Sequence, residues 1–469
     1  MGRLFLFAAF TSAAAAVTPW PRVLLPTENG ARALDGSPAA LYLRPGVGAN
    51  ASNIILFFEG GGWCETLVDC AGRSRTALGS SNFTTDGYAA RDVLQDSCVS
   101  NPYFCGWSFV YAQYLDGTSR AGDVAAPVAS NGTSIFFRGH RILRETLAAL
   151  LAPSGPGAGV PSLAAAPRLL ITGSSAGGLT TLLHADEIAR AVHAVNAACD
   201  VRALPEVGFF LDGASIWAGR HLMTEVFASV AAFANVTGGA PEQVNAACVA
   251  ATPPALRWRC FMAQYTLPHL ATPSFVVNSM VDEWQAENVL APNPTYERAL
   301  SPYPPIVPCI KAPTVVASAT CNATQAAQWV GACGARARGA FPPRPRRLAA
   351  RIAPTHPLHP HTHTRAPPPP GYGEQFLRGL AEARAAVPAP VAARSGGVIT
   401  SCPIHTTLIG GLSRRIVVAG DTLYQHIARW MDGASGWVFD KPYPQNPTCP
   451  KPQEAAAAFD EYAPLGRKE

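Results

Sequence analysis

Beyond its first twenty residues, this 469-residue chain has no run of eighteen uninterrupted apolar residues, so nothing later in it reads as a transmembrane span. Charge is sparse: 14% of residues are Asp, Glu, Lys or Arg, against 48% apolar. That balance excludes a disordered polyelectrolyte and allows a sizeable core. None of the twelve cysteines forms a C-x-x-C pair, which argues against a zinc ribbon or a thioredoxin-type site. No internal repeat and no second domain are evident.

The net charge of +5 is local. Residues 334–370, GARARGAFPPRPRRLAARIAPTHPLHPHTHTRAPPPP, hold seven arginines, four histidines, ten prolines and no acid. Those seven arginines exceed the whole surplus, so the rest of the chain carries a net −2. The stretch lacks apolar periodicity, and its composition supplies no fixed geometry for a metal. It reads as a disordered insertion at 334–371, with a basic tether or a histidine metal site as the competing readings. No nucleic-acid partner is implied once this segment is set aside.

The opening MGRLFLFAAFTSAAAAVTPWP has a basic residue, Arg3, an apolar stretch and then small residues. It reads as a signal peptide over 1–16, with a buried helix or short anchor as the other possibility. The even cysteine count, with close pairs Cys64/Cys70 and Cys98/Cys105, fits a disulfide framework in an oxidising compartment. Sequons at Asn50, Asn82, Asn131, Asn235 and Asn322 fit a secreted glycoprotein.

Short apolar runs alternate with helical patterns. NIILFF (53–58), SFVYAQY (108–114), RLLIT (168–172), VGFFLD (207–212), SFVVNSM (274–280) and GGVITS (396–401) predict buried strands. RGHRILRETLAALLA, GLTTLLHADEIARAVHAVNA and YGEQFLRGLAEARAA predict helices. The alternation implies an α/β fold, a mostly parallel sheet covered on both faces, as one domain over 17–333 and 372–469.

Gly173-Ser174-Ser175-Ala176-Gly177 fits G-x-S-x-G only with Ser175 at its centre. The motif follows a predicted strand and precedes a predicted helix, the context of a nucleophile elbow. A serine nucleophile needs a histidine base oriented by a carboxylate, in the chain order Ser, acid, His. Asp282, after SFVVNSM, sits where a strand ends; Glu283 and Asp212 compete with it. His405 follows the last predicted strand, while His184, His193 and His426 lie in helical patterns and read as structural. FFEGGGWC (57–64) places three glycines after a strand, where the Gly61 and Gly62 N–H groups, with that of Ala176, can serve an oxyanion.

The sequence resembles the pectin acetylesterase and Notum family of secreted serine carboxylesterases. The resemblance rests on EGGGWCETLVDC with RSRTALGSS, YLDGTSRAGD, FFRGHRIL, ITGSSAGGLTTLLHADEI, VGFFLD, CFMAQY, SFVVNSMVDEWQ, SCPIH and NPTC, in consistent order over roughly residues 40–333 and 372–450. It implies an α/β-hydrolase-like fold, a catalytic triad at Ser175, Asp282 and His405, and oxyanion donors at Gly61, Gly62 and Ala176. It thereby picks Asp282 over Glu283. Plant-type members often carry a cysteine after the histidine; Thr406 stands there, which leaves the partner of Cys402 open, with Cys449 a candidate. EGGGWC resembles the plant-type spelling. That implies O-acetyl esters on cell-wall or extracellular polysaccharide such as pectin, hydrolysed by a secreted monomer that needs no metal and no cofactor. A Notum-like deacylase or lipid esterase is the second reading, and a carbohydrate-binding pseudoenzyme the third.

Overall fold

The computed structural model describes residues 19–88, 98–99, 101–214, 221–238, 243–290, 372–408, 411–443 and 445–450. The leader, the Pro/Arg/His-rich segment and Asn322 therefore lie outside the described residues. Cys309, Cys321 and Cys333 do too.

In chain order the strands begin with β1 (Trp20–Leu24), β2 (Ala40–Arg44), β3 (Ile54–Phe58), β4 (Gly87–Tyr88) and β5 (Ser108–Ala112). A short ribbon follows, β6 (Val128–Ser130) with β7 (Thr133–Ile135). Next come β8 (Arg168–Ser174), β9 (Asp200–Glu206), β10 (Phe275–Ser279) and β11 (Gly396–Thr400). A second ribbon, β12 (Val417–Val418) with β13 (Asp421–Thr422), precedes β14 (Gly436–Phe439).

Ten of these strands form one sheet in the order β14-β11-β10-β9-β8-β3-β5-β2-β1-β4. From β14 to β5 every pairing is parallel; β2, β1 and β4 add an antiparallel margin. Parallel strands need long crossovers: α1 (Leu67–Arg73) lies in the β3–β5 connection, and the helices α2 (Gly139–Leu151) and α3 (Ala176–His193) supply the next two.

The period of two along each strand divides the core between the two faces. Ile54, Leu56 and Phe58 of β3 pack into the cluster that α2, α3 and the helix Leu222–Phe233 cover. Ile55 and Phe57 face the opposite cluster, with Leu408, Ile416, Ile427 and Trp430. Burial on both faces is why the central strands read as unbroken apolar runs.

One expected strand is not a strand. VGFFLD lies beyond the sheet, and the strand at that place is the preceding DVRALPE, β9. The chain leaves the sheet at Val207, whose φ is +41°, and buries Phe209, Phe210 and Leu211 as a loop. Periodicity does not separate a buried loop from a buried strand. The polar residues and Pro205 in β9 argue locally against a central strand, yet Pro205 lies in register with Gly173.

Disulfides join Cys98–Cys105, Cys248–Cys260 and Cys402–Cys449, so Cys449 is the partner of Cys402. The Cys64/Cys70 pair, close in sequence, remains two buried free thiols, and Cys199 is a third. Of the described sequons, Asn50, Asn82 and Asn131 are exposed and Asn235 is half-buried.

Candidate active site

The carboxyl ends of β3, β8, β10 and β11 converge on one point. β8 ends at Ser174 and α3 begins at Ala176, leaving Ser175 alone in the turn with φ +60° and ψ −124°. A non-glycine residue in that region stores strain and is held there by its surroundings. The tightness of the turn explains the glycines: a Cβ on Gly177 would come within 2.0 Å of the Phe58 carbonyl oxygen, so α3 rests directly on β3.

Ser175 Oγ lies 2.8 Å from His405 Nε2. On the other side of the ring, His405 Nδ1 lies 3.0 and 2.9 Å from the two Asp282 oxygens. A carboxylate only accepts, so Nδ1 carries the proton and Nε2 is left to accept from the serine. Asp282 is wholly buried, and its Oδ1 also accepts the Gln285 N–H at 2.8 Å, capping the short helix Glu283–Gln285. The structure thus brings together Ser175, Asp282 and His405.

The competing carboxylates take other places in the fold. Glu283 begins the helix that Asp282 caps. Asp212 accepts from His221 Nδ1 at 2.6 Å, from Tyr265 OH at 2.6 Å and from Thr224. Burial alone would raise the Asp212 carboxyl, but the donors Thr224, Tyr265 and His221 outweigh it and hold it below the ordinary range. The helical histidines meet backbone: His193 Nε2 lies 3.0 Å from Cys199 O, His426 Nε2 2.9 Å from Val418 O, and His184 Nε2 3.2 Å from Ser119 O.

Gly61 and Gly62 follow β3, and Gly62 takes φ +69°. Their loop is held by residues that sequence reasoning did not assign a role. Tyr114 OH donates to Gly62 O at 2.7 Å and accepts the Ser119 N–H at 3.1 Å. Ser119 Oγ donates to Ala176 O at 2.9 Å and accepts the Trp63 Nε1–H at 2.8 Å. Asp116 shapes this turn by accepting the N–H groups of Thr118 and Arg120. All of them fall in or beside YLDGTSRAGD, whose short polar residues and glycines were the available signal.

Glu206 is a second omission. Fully buried at the end of β9, it accepts Ser174 Oγ on Oε2. On Oε1 it accepts the Thr407 N–H, Thr407 Oγ1 at 2.7 Å and the Leu408 N–H at 2.8 Å. Burial raises its carboxyl, with the Thr407 and Leu408 donors opposing. One side chain therefore joins the serine's neighbour to the segment that bears His405. No local motif marks it, because its partners lie 32 to 202 residues away.

Aromatic rings wall the histidine. Trp284 stacks on it at 5.9 Å between centroids and Phe210 lies at 6.4 Å. Trp63 meets Phe210 and Phe227 edge-on, each at 4.7 Å. A separate concavity of about 460 Å³, lined by Asp186, Arg190, His193, Cys199 and Asp200, sits at the amino end of β9, away from Ser175. A group with metal-ligating chemistry, His140, His184 and Glu187, takes no part in the Ser175–His405–Asp282 relay.

Residues 13–301 match the model of the Pectinacetylesterase family. Pectin acetylesterase 7 of Arabidopsis thaliana is 33% identical over 264 residues, 56% of this chain and 62% of that protein. Palmitoleoyl-protein carboxylesterase NOTUM of Homo sapiens is 30% identical over 263 residues, 54% of this chain and 49% of that protein. The chain thus spans about six-tenths of the plant relative's length and about half of the human one's. The structure of the Wnt deacylase Notum from Drosophila superposes with a TM-score of 0.64 at 20% identity, over 92% of this chain and all of that one. At that identity the likeness concerns the fold, a Notum-like α/β hydrolase with a mostly parallel sheet.

Proposed function

The chain belongs to the pectinacetylesterase family, and from that premise we propose that it is a secreted serine carboxylesterase that removes O-acetyl groups from an extracellular polysaccharide such as pectin. The observation that carries the reading is the hydrogen-bonded line Ser175 Oγ–His405 Nε2 and His405 Nδ1–Asp282. Ser175 attacks the ester carbonyl while His405 takes its proton, and Asp282 stabilises the imidazolium. The N–H groups of Gly61, Gly62 and Ala176 receive the oxyanion, each worth roughly 3 kcal/mol of transition-state stabilisation. The alcohol of the sugar leaves with the proton from His405, and water then hydrolyses the acetyl-enzyme by the same route. The chemistry asks for no metal and no cofactor.

The aromatic packing supports a short acyl group. Trp63, Phe210 and Trp284 fill the side of His405 with rings in mutual contact. Similarity to palmitoleoyl-protein carboxylesterases favours the second reading, a long-chain deacylase. A series of p-nitrophenyl esters decides between them, followed by acetate release from acetylated pectin. Preference for acetate supports the first reading; preference for eight carbons or more overturns it.

Secretion belongs to the same proposal: residues 1–16 act as a leader, and among the described residues no helix is long and apolar enough to cross a membrane. The segment 334–371 is proposed as an insertion dispensable for catalysis. Its deletion should leave secretion and turnover of p-nitrophenyl acetate largely intact. A large loss of either rejects that reading.

A further inference from the structure

Behind the helix that Ser175 precedes, α2 and α3 face one another through three side chains that ester hydrolysis does not use. His140 on α2 and His184 on α3 stack with centroids 6.0 Å apart, and both are buried. Glu187 lies one helical turn beyond His184 and extends its carboxylate toward both rings. Its two oxygens are each 3.0 Å from His140 Nε2, and Oε2 is 3.5 Å from His184 Nδ1. One ligand atom from each of the three residues lies within 4.8 Å of the other two.

The hydrogen-bond directions at His184 do not close. Its Nε2 lies 3.2 Å from the Ser119 carbonyl oxygen, which can only accept, so Nε2 carries the proton. In a neutral imidazole Nδ1 is then a bare lone pair. That atom is enclosed and makes no hydrogen bond, and it faces a carboxylate oxygen. Two acceptors aimed at each other call for a proton or a metal ion between them. A second proton on His184 would serve only by charging a ring with no exposed surface, which burial opposes. A bound cation uses both lone pairs as ligands.

We propose that His140 Nε2, His184 Nδ1 and the Glu187 carboxylate form a site for a divalent transition-metal ion, zinc by preference, clasping α2 to α3. Two imidazoles and a carboxylate are three of the four ligands of tetrahedral zinc. Ligand atoms about 2.0–2.1 Å from zinc stand about 3.3 Å from one another in a tetrahedron. The two imidazole–carboxylate separations, 3.0 and 3.5 Å, straddle that spacing, and with all three ligand atoms within 4.8 Å of one another, ring shifts admit the ion. The Glu187 side chain is 22% exposed, which leaves the fourth position to water. Two imidazoles among three ligands disfavour calcium and magnesium, which take oxygen. The ion is structural: Ser119, held by His184, links the site to Ala176 and Trp63 without touching the ester.

The test uses the full chain, stripped by a chelator and titrated with Zn²⁺ calorimetrically and with Co²⁺ by visible absorption. His356, His359, His361 and His363 are first replaced by alanine, because that run offers the ion an adventitious site. One ion per chain, a four-coordinate Co²⁺ spectrum and a raised melting temperature are expected. Glu187→Gln and His140→Gln should each weaken binding roughly tenfold or more. These are nearly isosteric or conservative changes, so the test survives if His184→Ala fails to fold. No binding to the four-alanine chain, or unchanged binding in Glu187→Gln, overturns the proposal.

Discussion

Ser174 and Ser175, adjacent in sequence, place their hydroxyls in separate networks: Ser175 Oγ reaches His405 Nε2 at 2.8 Å, while Ser174 Oγ donates to Glu206 Oε2. Ser174 is the last residue of β8 and keeps the strand's orientation, whereas the positive φ of Ser175 swings its side chain to the histidine. Ser175→Ala should therefore lower kcat by on the order of 10⁴-fold or more. Ser174→Ala should keep kcat within about tenfold and cost about 1–3 kcal/mol of stability, the price of a buried acceptor losing a donor. A fluorophosphonate probe should label Ser175 alone; labelling that persists in folded Ser175→Ala refutes the assignment.

Asp282→Asn removes the acceptor that orients His405 and should lower kcat by roughly 10⁴-fold. His405→Ala should be nearly as damaging as Ser175→Ala. The double change should add little to either, because the residues act as a unit. Acetyl-ester kinetics on variants with matched melting curves provide the check, and multiplicative losses would contradict the relay.

Glu206 is a positioning residue. Glu206→Ala leaves the Ser174, Thr407 and Leu408 donors buried without an acceptor, and a lost hydrogen bond to a charged group costs roughly 1.5–3 kcal/mol. Glu206→Gln retains one acceptor oxygen. It should partly rescue kcat while leaving KM close to wild type, since no substrate contact changes. A KM effect as large as the kcat effect would place Glu206 in the substrate site instead.

Asp212 makes stability depend on acid. Its carboxyl lies below the ordinary value of 3.8, so it stabilises the fold only while ionised. That contribution is complete above the ordinary value and fades as pH falls through the folded one. Asp212→Asn should therefore be less stable than wild type at pH 7, and the gap should close below pH 3.8. Urea melts across that range measure it; a constant gap would rule out the linkage.

Where a feature is made by neighbours in the chain, the sequence was sufficient. The elbow at Gly173–Gly177, the glycines after β3 and the helices α2 and α3 are local, because strand, turn and helix chemistry act over a few residues. β9 escaped because an apolar loop beside it outcompeted its polar pattern; the seven-residue register against β8, from Arg168 with Asp200 to Ser174 with Glu206, identifies the strand. From the residues alone, Asp282, Glu283 and Asp212 were equivalent acids. The fold separates them by bringing His405 to Asp282 across 123 residues and pairing Asp212 with His221, Thr224 and Tyr265. The Cys402–Cys449 pairing, the Glu206 junction and the His140–Glu187–His184 cluster were likewise decided by tertiary structure. Each joins segments that no local propensity connects, and only the packing of the sheet and its helices sets the distance between them.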